Sequence, residues 1–233
     1  MRGGGTSRTL SSDWTEIHAS RPLVIETRGW SESGVCTRPE AQLTCYRIPS
    51  IMSTRLNTGI GVNRMNTIHL QGSDASRRLL VALAHPDDES FGPAGTIIHY
   101  ASQGIAVHYI CATRGEAGHV DPELLEGTSS LAELRTHELE CAARHLGLAG
   151  VHFLGYHDSG MASAPENQNP DCLFQAPLEE VVEKIAVLIR QIRPQVVLTF
   201  ESTGGSFHPD HLKMNQATTL AFHAAGDPER FPH

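Results

Sequence analysis

The sequence predicts an α/β domain: a Rossmann-like, mostly parallel sheet with helices on both faces. Three observations carry this. Short apolar runs alternate with longer stretches of helical period from residue 78 onward. The runs are continuous rather than alternating, as in strands buried on both faces. Each strand is followed by polar residues, at the carboxyl end where open α/β sheets bind their ligands.

Each element has its own local justification. Residues 79–84 (LLVALA) form the first buried strand, residues 105–112 a second, residues 151–154 a short third and residues 195–200 (QVVLTF) a fourth. Ser130 and Glu133 have the spacing of a capping box, opening a helix that runs to Leu146 and stops at Gly147. Leu131, Leu134, Leu139, Ala142 and Leu146 are expected on its buried side. A further helix spans residues 177–193, with Val181, Ile185, Leu188 and Ile192 at helical spacing. Pro177 suits its first turn, Glu180 and Lys184 are paired one turn apart, and Pro194 ends it. No G-x-G-x-x-G follows the first strand, so a dinucleotide site of the usual kind is not expected.

The first third of the chain differs in kind. Residues 1–78 hold ten Arg, no Lys and six acids; the remainder holds eight basic and twenty acidic residues. The net charge of −8 argues against a nucleic-acid binder, and no apolar stretch is long enough to span a membrane. Five scattered cysteines without a C-x-x-C pair suit neither a disulfide scaffold nor a structural zinc knot. Residues 1–75, rich in Ser, Thr and Gly and without a sustained period, are expected to be a disordered N-terminal extension preceding a domain over 76–233. With no secretory signal, the expected location is the cytoplasm. The Arg-rich, acid-poor leader keeps an organelle as the minor alternative.

Fourteen histidines raise the question of a metal. After the first strand comes His85-Pro86-Asp87-Asp88-Glu89. A turn that brings residues i and i+3 to one side lets His85 and Asp88 bind one cation, with Asp87 directed elsewhere in the cleft. After the fourth strand a loop leads into His208-Pro209-Asp210-His211, where a helix begins. Two histidines and a carboxylate form a common catalytic zinc set with a fourth position left for water. Either motif alone is as well explained by a turn whose carboxylates cap the next helix. Two such clusters at the ends of buried strands are much harder to explain that way, and they predict a metal site at the C-terminal ends of the strands.

These motifs together resemble the LmbE-like, or PIG-L, family of metal-dependent N-acetylglucosaminyl de-N-acetylases, which includes deacetylases of the mycothiol and bacillithiol pathways. The intervening segments agree. Thr113-Arg114-Gly115-Glu116-Ala117-Gly118 resembles the family's T-R-G-E-x-G turn, Arg135-Thr136-His137-Glu138-Leu139 its R-x-x-E-L helix, and residues 154–161 (LGYHDSGM) its L-G-x-x-D-S-G-M loop. Two departures are visible: Gly204-Gly205-Ser206-Phe207 stands where the family often has G-G-x-G, and the chain stops at His233, short of the usual family length. The domain is thus expected to be C-terminally truncated.

The resemblance implies His85, Asp88 and His211 as metal ligands, Asp87 as general base for the attacking water, and His208 as stabiliser of the oxyanion or as an assisting acid. Arg114 and Glu116 are candidate substrate contacts or, equally, a turn-stabilising ion pair; Asp158 is a candidate to orient a ligand histidine or, equally, to cap amides of its own loop, and Asp210 to support a ligand from behind or to serve as an acid at the helix N-terminus. The implied function is zinc-dependent removal of an acetyl group from a small N-acyl amino sugar; imidazole and carboxylate also accept Fe²⁺. Two other readings fit the residues. One is an inactive metal-binding or interaction module of this fold, the other a Mg²⁺ phosphohydrolase using Asp87, Asp88 and Asp210.

Overall fold

The computed structural model describes residues 23–27, 67–69, 77–125 and 127–232. The unbroken apolar run after residue 78 becomes β3 (Arg78–Leu83), with all but its first residue buried. The other expected strands are β4 (Ala106–Cys111), β5 (Gly150–Phe153) and β6 (Val196–Phe200). Two short strands from the N-terminal extension, β1 (Leu23–Thr27) and β2 (Thr67–His69), complete the sheet. Both fall within the segment expected to be an extension, and the rest of that segment lies outside the described residues. The strand order is β1-β6-β3-β4-β5-β2, parallel throughout except for β2, which runs antiparallel to β5.

Helices cover both faces. They are α1 (Asp88–Phe91), α2 (Ala94–Ser102), α3 (Leu131–Leu146), α4 (Leu178–Ile192) and α5 (Pro209–Ala225). The chain steps from β3 through α2 to β4 and through α3 to β5, then crosses back through α4 to β6 on the other side of β3. Right-handed crossovers in opposite directions put α2 and α3 on one face and α4 on the other. Contacts of α2 with α3, and of α4 with α5, agree. The point where the strand order reverses therefore lies between β3 and β6, the place where such sheets hold ligands. No helix among the described residues is long and apolar enough to cross a membrane.

Local chemistry explains the helices with three adjustments. Seven residues of α4 are buried, including Val181, Ile185, Leu188 and Ile192, and truncating one such side chain to alanine typically costs about 2–5 kcal/mol. Glu180 and Lys184 pair at 3.1 Å, while Pro177 stands at the N-cap rather than within the first turn. In α3 Ser130 accepts from the Glu133 amide, but the Glu133 carboxylate turns to the amide and hydroxyl of Ser129 at 2.6 and 2.5 Å. The reciprocal half of the capping box is displaced by one residue. Of the expected buried side of α3, Leu139 and Leu146 are buried with Ala143, whereas Leu131, Leu134 and Ala142 are only half-buried.

Candidate metal and catalytic site

At the exit of β3 the chain folds back on itself through its own carboxylates. Asp88 Oδ2 accepts from the amides of Ala84 and His85 at 3.2 and 2.8 Å, which brings its carboxylate beside the His85 ring. The buried Glu89 accepts from the Asp87 amide at 3.0 Å and from the Ser90 hydroxyl at 2.6 Å. Asp87 itself has φ 115°, a conformation costly for any residue with a Cβ. From the neighbouring strand, Tyr109 donates to the His85 carbonyl at 2.9 Å and Thr113 to that of Ala84 at 3.2 Å. The turn is held at every residue.

At the start of α5 the means are different. His208 is the N-cap, its Nδ1 accepting from the Asp210 amide at 3.2 Å, and Pro209 fills the first helical position. A neutral His208 ring used this way carries its proton on Nε2. His211 Nδ1 donates to the Gly204 carbonyl at 2.8 Å, and the ring stacks on Phe200 with centroids 4.0 Å apart. Gly204 has φ 65°, and a Cβ there would stand 2.7 Å from that of His211. Glycine is required on both counts.

The two half-sites meet at their side chains. His85 Nδ1 lies 3.2 Å from His211 Nε2 and 3.5 Å from Asp88 Oδ2, and Asp88 Oδ1 lies 3.4 Å from His211 Nε2. On its other edge, His85 Nε2 is 3.2 Å from Asp210 Oδ2 and 3.4 Å from Asp158 Oδ1. Those two carboxylates have further donors: Ser159 gives both amide and hydroxyl to Asp210, and the Gly160 amide reaches Asp158 at 2.9 Å. With Nε2–H of His85 and Nδ1–H of His211 spent on these acceptors, two imidazole lone pairs and a carboxylate oxygen face one another. Lone pairs so arranged repel unless a cation lies among them, and the donor set fits Zn²⁺ or Fe²⁺ better than Mg²⁺. The groupings whose donor atoms all lie within 4.8 Å of one another are His85 with His208 and His211 and His85 with Asp158 and Asp210; Asp88 approaches the two rings with different oxygens, Oδ2 towards His85 and Oδ1 towards His211. In the second grouping, both carboxylates are already occupied as acceptors, which makes them holders of the His85 ring.

Electrostatics follow from this crowding. Burial pushes His85 down, but Asp158, Asp210 and Asp88 outweigh it and raise it well above its usual value. The carboxylates that favour a proton on the ring favour any cation beside it. Burial and His85 oppose each other at Asp158, and the ring, with the Gly160 amide, wins, holding the carboxyl at about 2. Burial and the neighbouring His85 lower His208, which favours the neutral ring. Burial raises Asp87, partly offset by the Arg135 guanidinium.

Arg135 is the residue that reading the sequence for chemistry passed over. From α3 it reaches Asp87 Oδ2 at 2.5 Å and also donates to the Pro86 carbonyl. It passes so close to Gly115 (φ 71°) that any Cβ there would collide with it. The signal available was an arginine among apolar positions of a helix, within the R-x-x-E-L segment. Ser159, which anchors Asp210, is the second such residue. Arg114 and Glu116 are placed differently. Arg114 donates to Thr136 at 2.8 Å and lies 4.0 Å over the Phe153 ring, while Glu116 accepts from the amides of Arg114 and Asp158 at 3.2 and 3.0 Å.

Comparison with known proteins bears on this arrangement. The sequence profile described as PIG-L, GlcNAc-PI de-N-acetylase, matches residues 80–222 and so includes both half-sites. A 1D-myo-inositol 2-acetamido-2-deoxy-alpha-D-glucopyranoside deacetylase of Thermobifida fusca is 41% identical over 161 residues, covering 65% of this chain and 56% of that protein. Its namesake in Kineococcus radiotolerans is 44% identical over 177 residues, covering 69% and 49%. The chain thus spans about half the length of the curated relatives it matches. Among solved structures, N,N'-diacetylchitobiose deacetylase of Pyrococcus horikoshii is similar with TM-score 0.55 and 25% identity, covering 67% of this chain and 53% of that one. The 4-carboxy-2-hydroxymuconate hydratase GalB of Pseudomonas putida is also similar, with TM-score 0.50 and 26% identity over 65% and 58%.

Proposed function

The chain belongs to the GlcNAc-PI de-N-acetylase (PIG-L) family, and from that premise we propose that it is a zinc-dependent hydrolase removing the acetyl group from a small N-acetylglucosamine-type conjugate. The observation that carries the proposal is the mutual approach of His85 Nδ1, His211 Nε2 and the Asp88 carboxylate, pair by pair at 3.2, 3.5 and 3.4 Å, with the strained Asp87 beside them. Fold alone would not suffice, since a hydratase has the same fold.

His85 Nδ1, His211 Nε2 and Asp88 Oδ1 are the proposed ligands. A zinc ion held by them would lower the pKa of a water towards neutrality and polarise the acetyl carbonyl. The remaining chemistry belongs to the chain. Asp87 takes the proton of the attacking water and delivers it to the amine nitrogen as the C–N bond breaks. Arg135 aims that carboxylate and favours its ionised form. His208, neutral with its proton on Nε2, donates to the oxyanion of the tetrahedral intermediate. Asp158 and Asp210 hold the far edge of His85, fixing the tautomer that leaves Nδ1 unprotonated. Substrate contact by Arg114 and Glu116 is the part of this scheme the geometry supports least, because their polar atoms are already engaged.

The test is amine release from N-acetylglucosamine conjugates by zinc-loaded protein. Activity should vanish with a chelator, return with zinc and be lost in Asp87→Asn. Full turnover surviving both changes would discard the scheme.

A further inference from the structure

We propose that Glu89 is a positioning residue for the general base: by accepting the Asp87 amide, its carboxylate fixes the strained turn that presents Asp87 to the centre. The inference rests on the de-N-acetylase reading and adds a residue to it. Glu89 is 1% exposed, and both its oxygens are committed, Oε2 to the Asp87 amide at 3.0 Å and Oε1 to the Ser90 hydroxyl at 2.6 Å. Among the described residues, no Lys, Arg or His forms an ion pair with it. A glutamate taken out of water is ordinarily paired with a cation. This one directly follows two other carboxylates, Asp87 and Asp88, and is buried all the same. What its burial provides is an acceptor for one particular amide.

That amide needs one. A residue at a helix N-cap usually has extended dihedrals, whereas Asp87 stands there with φ 115° and ψ −30°. Turned this way, its amide points at a side chain that solvent does not reach, and without an acceptor it would be a buried unpaired donor. Glu89 reaches back from two residues on, one position earlier than the glutamate of a usual capping box. Helix α1 has four residues, too few to impose the turn by itself. The other polar groups of Asp87 are held separately. Its carbonyl accepts from the amides of Ser90 and Phe91 at 2.8 and 2.9 Å, and its carboxylate is on Arg135 at 2.5 Å. Arg135 therefore aims the carboxylate, and Glu89 fixes the backbone that carries it. Relaxing φ to negative values would swing the Cα–Cβ bond and carry the base away from the water it deprotonates. Strain maintained by a dedicated contact beside the reacting groups is a mark of preorganisation.

The experiment reads amine release from N-acetylglucosamine conjugates by zinc-loaded Glu89→Met and Glu89→Gln. Methionine fills the space without an acceptor; glutamine keeps an acceptor of the same reach. Glu89→Met should lower kcat about 10²-fold, as misplacing a reacting group by ~1 Å does, with KM unchanged and zinc still bound at one per chain. Glu89→Gln should restore kcat to within about threefold of the unmutated chain, because the Asp87 amide keeps its partner. Added to Asp87→Asn, Glu89→Met should lower the remaining rate less than about threefold, since a residue acting through Asp87 has no base left to aim. A general structural defect would instead multiply in full. Should Glu89→Met fail to fold by circular dichroism, Glu89→Asp, too short to reach the amide, replaces it in each comparison. Equal losses in Glu89→Gln and Glu89→Met, no loss in Glu89→Met, or an undiminished loss on Asp87→Asn overturns the proposal while leaving the deacetylase intact. If the unmutated chain hydrolyses none of the conjugates, the deacetylase reading fails, and crystal structures of the two variants decide the hold of Glu89 on Asp87. A negative φ at Asp87 in Glu89→Met with a positive φ in Glu89→Gln supports it, and the same φ in both refutes it.

Discussion

The exits of β3 and β4 look alike in sequence and are built differently. Both follow buried strands, and both carry charged residues within a few positions: His85, Asp87 and Asp88 after one, Arg114 and Glu116 after the other. The β3 exit lies where the strand order reverses, facing α5 across a cleft, and its side chains meet those of His208 and His211. The β4 exit lies one strand further in, between β3 and β5, and its charges are used on backbone amides, a threonine and a phenylalanine ring. Charge at a strand end is therefore an insufficient signal. Its position relative to the reversal separates charges that gather into a cluster from charges spent on backbone and neighbouring side chains.

Mutations at the two exits should differ by orders of magnitude. Asp87→Asn should lower kcat by about 10³-fold with zinc still bound at one per chain, as removal of a general base does; steady-state rates with metal analysis read both. Asp210→Asn, which weakens the hold on His85 Nε2, should reduce zinc affinity by about 10–100-fold, measured by competition with a chelator. Arg135→Gln sharpens the contrast through pH. Asp87 must be ionised to act, so kcat/KM falls as pH drops through its pKa; because Arg135 lowers that pKa, removing it should move the acid limb to higher pH. A limb that does not move would deny Arg135 its role on the base. At the β4 exit, Arg114→Met should cost about 1 kcal/mol of stability through the lost ring and hydroxyl contacts. It should change kcat less than threefold. A large loss of kcat with unchanged Tm would instead place Arg114 on the substrate.

What the sequence revealed depended on how local each signal was. The continuous runs of β3 and β6 and the helical spacing of Val181, Ile185, Leu188 and Ile192 are decided within a few residues, and they appear where expected. The pairs His85 with Asp88 and His208 with His211 were visible for the same reason. The short helix α2 went unread, as did β1 and β2, whose places depend on partners far along the chain, such as Leu23 on Val196 and Ile68 on Val151. The face of α3 was misjudged at Leu131, Leu134 and Ala142 because pattern alone does not say that one flank of the helix carries Arg135 to Asp87. Gly204 showed only as part of a glycine pair; its reason, clearance for the His211 side chain, exists only in three dimensions.

Adjacent strands β3 and β6 run in register from Leu79 with Val196 to Ala82 with Thr199, and the Thr199 hydroxyl bonds the Ala82 carbonyl at 2.8 Å. The two strand ends from which the halves of the centre depart are thus ruled off by main-chain geometry, at the fixed interval of neighbouring strands. His85 leaves that ladder within two residues of Leu83, whereas His211 lies eleven residues past Phe200, so the loop between and the clearance at Gly204 decide how closely the two rings meet.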